Sequence, residues 1–382
     1  MFKNLRELIA TMPDEKQCKR YLAEQRWPDG KVICPYCGCD RIYKIEERDR
    51  YKCASKQCHK KFSVTVGTIF EASKIPLTKW FMAVYLCIAH KKGISSYQLG
   101  KDIGASQKTA WFMLHRIREL MRVKTETKLE NIVEVDEVYI GGKVGNMSKT
   151  KRTMLRESGM TLKTKTIVMG MVERTGNLKL IAIGKDNGTN VLQPLVRNNV
   201  SKDATVITDG LQSYIGLDKD FASHQSVNHD ANQYVRDSVI HTNTIEGAFS
   251  QFKRSIYGCY HQISTKHLSR YCDETMFRYN LRKMTDADRF NLSLANVDGR
   301  LDYKTLVYKT KGNGYDQVTF EPTVDHRKYI KREIVQLKDG VIIAQYKNIG
   351  EAVRTTGLKQ PSIWRVLKGK KNTTGGFGWK YL

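Results

Sequence analysis

Acidic residues are what this 382-residue chain most plainly lacks. It has 39 Asp and Glu against 65 Lys and Arg, a formal net charge of +26. An excess that large repels itself in a compact chain, so a polyanionic partner is implied. A ribosome, a membrane surface and DNA all satisfy the charge taken alone. Long apolar runs are also missing. The best, Trp80 to Ala89, is half of the ~20 residues a membrane span needs. Met1 to Glu15 carries Lys3, Arg6, Glu7, Asp14 and Glu15 with no continuous apolar stretch, which argues against a signal peptide. These absences predict a soluble cytoplasmic protein with no membrane partner. Extensive disorder does not fit either, because 40% of the residues are hydrophobic. The length suggests about two to four domains.

Nine cysteines are present, and they cluster at metal-ligand spacing rather than as a disulfide framework. Cys34-Pro-Tyr-Cys37-Gly is a short knuckle. Fifteen residues later Cys53 and Cys58 form a second pair. Four thiolates are what one structural Zn²⁺ prefers, and they leave no open position for catalysis. Strands at 41–45 and 50–52 would make this a zinc ribbon. The wider second pair keeps Cys39 and His59 as substitutes. Phe62 to Phe70 reads as a strand and turn, which completes a unit at 1–70.

Residues 71–128 read as helical. Trp80, Phe81, Val84 and Ile88 recur at helical spacing over 77–91. A short helix from Ser95 ends at Gly104, Ala105 to Gln107 turns, and a basic helix follows over 108–122. This is the helix-turn-helix pattern. It puts Ser106, Gln107, Lys108 and Thr109 where side chains reach base edges. An ordinary helical hairpin within a core is the alternative.

From 129 to 288 the texture becomes α/β. Ile132 to Ile140 is an apolar strand with Asp136 in its middle. A hairpin turns at 175–177, a helix spans 191–200, and Ala204 to Asp209 is a strand ending on an acid. A short strand follows near 224–229, and a helix opens after His241 and carries Glu246. Strands and helices in this order match the ribonuclease H-like fold with a mixed sheet. In-line attack on a phosphodiester uses two divalent cations ~3.5–4 Å apart, and hard ions such as Mg²⁺ or Mn²⁺ select oxygen ligands. By the two-residue period Glu134 shares the face of Asp136 and could support it, whereas Glu137 should point to solvent. His241 either touches the site or packs before the helix. Lys253, Arg254 and Lys266 suit phosphate contacts or a solvated basic face. The Lys- and Gly-rich stretch 141–165, with Lys149, Lys151 and Arg152, reads as a mobile basic loop.

Residues 34 to about 280 resemble the zinc-ribbon (ISXO2-like) group of bacterial insertion-sequence transposases, relatives of the eukaryotic Merlin elements. The resemblance is carried by Cys-Pro-Tyr-Cys-Gly at 34–38, Phe-Ser-Val-Thr-Val-Gly-Thr-Ile-Phe at 62–70 and Val-Asp-Glu-Val-Tyr-Ile-Gly-Gly-Lys at 135–143. Thr-Asp-Gly at 208–210 and His-Thr-Asn-Thr-Ile-Glu-Gly at 241–247 complete it. It implies hydrolysis and strand transfer on double-stranded DNA, at element ends and target, by a multimer. It also implies that Asp136 and Asp209 are metal ligands. The third would be Glu246, 37 positions on from Asp209, or Asn243. Lys253, two turns after Glu246, would lie along the DNA.

After a linker at 289–328, residues 329–382 form a small unit. It has a hairpin about Lys338-Asp-Gly340, a helix capped by Asn348, and a second helix at 361–367. Its ending, Gly-Gly-Phe-Gly-Trp-Lys-Tyr at 375–381, is similar to the NUMOD-type helix-turn-helix modules of homing endonucleases. That similarity implies an added DNA-binding module with Lys359, Gln360, Ser362 and Arg365 nearest the bases. Two other functions fit the sequence: a domesticated regulator that binds DNA without cutting, and a nuclease that cuts without joining strands.

Overall fold

The computed structural model describes residues 2–46, 49–122, 127–142, 145, 147–157, 165–227, 240–307, 334–346, 349–358, 360–367 and 371–381. The chain divides into two compact units, one holding Met1–Gly30 and Val64–Thr319, the other Lys31–Ser63 and Phe320–Leu382.

The first unit opens with α1 (Leu5–Thr11) and α2 (Glu15–Arg26). Asn4 caps the one by accepting the Glu7 N–H, and Asp14 caps the other by accepting that of Gln17. The second unit begins with a three-stranded antiparallel sheet, β1 (Ile42–Ile45), β2 (Arg50–Cys53) and β3 (Lys61–Phe62). The strand expected over 62–70 stops at Phe62, and Val64 to Phe70 run through turns. Arg26 there donates to the carbonyls of Val64 and Val66, at 2.7 and 2.9 Å.

Three helices follow: α3 (Leu77–Ala89), α4 (Ser96–Ile103) and α5 (Gln107–Leu120). The α4–α5 turn depends on Gly104, which ends α4 at φ 62°, and on Ser106, whose hydroxyl accepts the Thr109 N–H. From Ala110 onward α5 is almost wholly buried. It therefore serves as a core helix over most of its length and presents only its first turn to solvent.

The central sheet has five strands: β4 (Ile132–Ile140), β5 (Thr166–Glu173), β6 (Leu178–Gly184), β7 (Thr205–Asp209) and β8 (Ser223–Val227), ordered β6-β5-β4-β7-β8. β4, β5 and β6 are antiparallel, and β7 and β8 run parallel to β4. Between β4 and β5 the stretch expected as a mobile loop forms α6 (Lys149–Glu157). α7 (Thr189–Asn199) covers one face, where Leu192 and Val196 pack on Val133, Val135, Met169 and Met171. α8 (Asn243–Ser255) and α9 (Leu268–Asn280) cover the other, with Ile245, Phe249 and Phe252 against Val138, Val168 and Val172. A Cβ on Gly170 would lie 2.5 Å from Phe249 and 2.8 Å from Ile245, so glycine alone lets α8 close on the sheet.

The stretch read as a linker from 289 holds most of α10 (Asp286–Ala295) and all of α11 (Tyr303–Val307). Phe290 is fully buried among Phe2 and Phe81. In the second unit β9 (Ile334–Lys338) and β10 (Val341–Tyr346) turn through Asp339 and Gly340, both at positive φ as a tight hairpin requires. α12 (Ile349–Thr356), α13 (Gln360–Leu367) and β11 (Gly378–Tyr381) complete it around Ile334, Ala352, Ile363 and Trp379. Asn348, expected to cap α12, lies outside the described residues. Among the described residues no helix is long and apolar enough to cross a membrane.

A buried charge cluster joins α5 to α9. The Arg118 guanidinium donates to Glu274 at 2.8 Å, Tyr260 donates at 2.6 Å, and Arg278 donates at 2.5 Å. Burial opposes ionisation of Glu274, but Arg118 and Arg278 outweigh it and hold the carboxyl at about 2. Breaking one partner of such a cluster strands the others. Glu274→Gln should cost about 3–5 kcal/mol in urea unfolding, and a loss under about 1 kcal/mol would contradict this account.

Candidate active site

β4 is paired along its whole length with β5, but with β7 only from Ile132 to Val135. Among the described residues no strand pairs with that edge of β4 beyond Val135, and β7 ends there on Asp209. Asp136 and Glu137, in the middle of β4, therefore lie beside Asp209 at the carboxyl end of β7, and the carboxyl ends of parallel strands are where open α/β sheets place ligands. One carboxylate oxygen from each of the three lies within 4.8 Å of the others.

Glu137 departs from expectation. It is half-buried rather than solvent-facing, and its carboxylate accepts a hydrogen bond from Tyr214. Alternation along β4 holds: Asp136, opposite Gly170, lies on the α8 face and Glu137, opposite Met169, on the α7 face, where Tyr214 covers it instead of solvent. The signal in the sequence was the acid pair at 136–137 itself. Tyr214, in a single 3₁₀ turn, carried none.

Burial first, then the charges of Asp209 and Glu246, push Asp136 up to about 7. The Glu137 N–H and Lys253 act against them. Burial, with Asp209 and Asp136, raises Glu137 to about 8 against the Tyr214 hydrogen bond.

Glu246 is exposed on the first turn of α8, close enough for its charge to act on Asp136. It lies outside the 4.8 Å cluster. Asn243, the first residue of α8, is also exposed, and Lys253 and Arg254 are exposed on its last turn. Lys266 is already engaged, donating to the Leu306 carbonyl at 2.7 Å. Glu134 is fully buried and, like His241, faces the start of α8. Lys149 is exposed and Arg152 half-buried on α6; the Lys151 side chain lies outside the described residues.

The expected base-reading turn is only partly free. Ser106 and Thr109 are taken up in the cap of α5, Gln107 donates to Ser96 at 2.8 Å, and Lys108 lies over the Tyr303 ring. In the second unit Ser362 is half-buried and Arg365 exposed on α13. Lys359 and the side chain of Gln360 lie outside the described residues.

Cys34, Cys37, Cys53 and Cys58 bring their sulfurs within 4.8 Å of one another, and neither Cys39 nor His59 belongs to the group. Cys39 instead points to the Arg41 carbonyl. Burial pushes the Cys34 thiol up to about 11 and raises Cys53 further. Burial also acts against Cys37, but hydrogen bonds from the Cys39 N–H and the neighbouring sulfurs outweigh it and lower its pKa.

Residues 128–280 match the model of the ISXO2-like transposase domain, and residues 13–61 that of the transposase zinc-ribbon domain. A protein of transposable element ISH50 from Halobacterium salinarum, itself uncharacterized, is 30% identical over 259 residues, spanning 64% of this chain and 84% of the relative. This chain belongs to the ISXO2-like transposase family. Within that family domain the sheet and α8 hold every acid of the candidate site. The four-cysteine cluster lies in the region matched by the zinc ribbon.

Two acids raised this far make folding take up protons between about pH 4 and pH 8. Stability of the metal-free protein should fall as pH rises through that window and level off beyond it. Thermal midpoints in a chelator, compared with Asp136→Asn, check this. The variant should show the shallower slope, and identical slopes would contradict the account.

Proposed function

We propose that this chain is the transposase of an insertion sequence, cutting DNA at the element ends and joining them to target DNA. The carrying observation is the meeting of Asp136, Glu137 and Asp209 at one sheet corner, under the influence of Glu246, in a chain of a transposase family. Several carboxylate oxygens in a half-buried corner suit a pair of hard divalent cations, Mg²⁺ or Mn²⁺. Bound there, such ions would stabilise charge on the attacking and leaving oxygens of a phosphodiester. Asp136 and Asp209 would hold them from the sheet. Glu246 would do so from α8, as a better ligand than the neutral amide of Asn243. Lys253 and Arg254 would receive the phosphate backbone along the same helix.

The remaining contacts to double-stranded DNA follow from exposure. The α4–α5 pair would act as a helix-turn-helix through the first turn of α5, since the rest of that helix is core. α6 would add Lys149 and Arg152, and the 334–381 unit would add Arg365 and Ser362 as a second DNA-binding module. Pairing of two element ends would need an oligomer on DNA. The four cysteines would hold one structural Zn²⁺, because four thiolates satisfy that ion and leave no coordination open.

Two measurements test this. Metal analysis should find one zinc per chain, and Cys53→Ser should lose it together with dispersed NMR signals from the ribbon; an intact ribbon without metal would contradict the assignment. With labelled element-end DNA and Mg²⁺, Asp209→Ala and Glu246→Gln should each lose about three orders of magnitude in cleavage and joining while still binding ends. Wild-type binding without cleavage under any divalent cation would overturn the catalytic reading. Activity surviving in Glu246→Gln alone would move the third ligand to Asn243.

A further inference from the structure

One fully buried carboxylate belongs to neither the candidate metal site nor the apolar core. Glu134 lies on β4 two residues before Asp136, and its side chain is completely buried. Its Oε2 accepts the backbone N–H groups of Thr244 and Ile245, at 2.8 and 3.0 Å. Its Oε1 accepts the Thr244 hydroxyl at 2.9 Å and the Arg174 Nε–H at 2.7 Å, with His241 Nδ1 at 3.3 Å. The residue at the helix's own cap position, Thr242, makes no side-chain capping bond. The first turn of α8 thus has two of its N–H groups satisfied by an acid from the strand, and the positive end of the helix faces a negative charge. Arg174, which follows β5, balances that charge and also donates to the His241 carbonyl at 3.1 Å.

We propose that Glu134, held by Arg174, is a positioning residue that sets α8 in register with β4. Through that register it fixes where Glu246 and Asn243 stand relative to Asp136. This rests on the transposase reading above. The chemistry is that of outer-shell groups elsewhere: a buried ion pair orients the group that binds the metal without touching the metal. Packing alone would set the distance of α8 from the sheet, through Gly170 and Phe249. It would leave sliding along the helix axis less restrained, and two N–H bonds to one carboxylate remove that freedom.

The test is a Mn²⁺ titration of the full-length, zinc-loaded protein followed by electron paramagnetic resonance, without DNA. Wild type should bind Mn²⁺. Glu134→Gln puts an amide where an acceptor of five contacts stood, and should weaken binding by about tenfold or more. Arg174→Gln should act in the same direction and serves if the first variant does not fold. Leu192→Ala, in the core of the opposite face, is the control: it should lower the thermal midpoint yet leave Mn²⁺ affinity within about twofold. Equal affinity in wild type, Glu134→Gln and Arg174→Gln would overturn the proposal, as would equal weakening in Leu192→Ala. No Mn²⁺ binding by wild type would instead defeat the metal-dependent transposase reading on which it rests.

Discussion

The hydrogen-bonded ladder between β4 and β7 stops at Val135, and the candidate site exists because it stops there. Asp136 on the α8 face and Glu137 on the α7 face both border the edge of β4 that β7 leaves uncovered. Where β7 ends on Asp209, one oxygen from each of three acids comes to the same corner. Their mutual repulsion and burial make that corner costly for the folded chain at neutral pH, as the raised values of Asp136 and Glu137 show. A protein that keeps such an arrangement has a use for concentrated negative charge, and a divalent cation relieves it most directly. The chain is otherwise strongly basic, so the acidic corner stands against the overall charge rather than reflecting it.

Two buried carboxylates have the opposite job. Glu134 and Glu274 are each fully enclosed and fully bonded, one between β4 and α8, the other between α5, α9 and Tyr260. A buried acid is tolerable only when its charge is matched and its lone pairs are satisfied. Both meet that condition with arginine, whose planar fork supplies several donors at once. Glu274 ties the helical region to the helices behind the sheet. If the first turn of α5 does contact DNA, the opposite end of the same helix is fixed to the body that carries the acids.

Apart from α6, the order of strands and helices from β4 to α8 was legible in the sequence because each apolar run has a clear period and length. So was the meeting of Asp136 with Asp209, which needs only that the strand ending on Asp209 lie beside the middle of β4. Glu137 does point away from Asp136, but it was read as solvent-facing because the residue that covers it, Tyr214, lies 77 positions away, beyond any local window. α6 was missed since its nine residues include only two apolar side chains, Met154 and Leu155, too few for a helical period. α10 was taken for connection although Phe290 and Leu294 are core, because their partners, Phe2 and Phe81, are some two hundred residues or more away in the chain. The capping role of Glu134 was beyond local reading for the same reason: the N–H donors it accepts lie 110 and 111 positions away.

The central claim is that β4, β7 and α8 together form a divalent cation site. Anomalous diffraction from crystals grown with Mn²⁺ tests it most directly. Manganese peaks are expected at the corner between Asp136, Asp209 and the first turn of α8. Manganese found only elsewhere, with this corner empty at saturating concentration, would contradict the account.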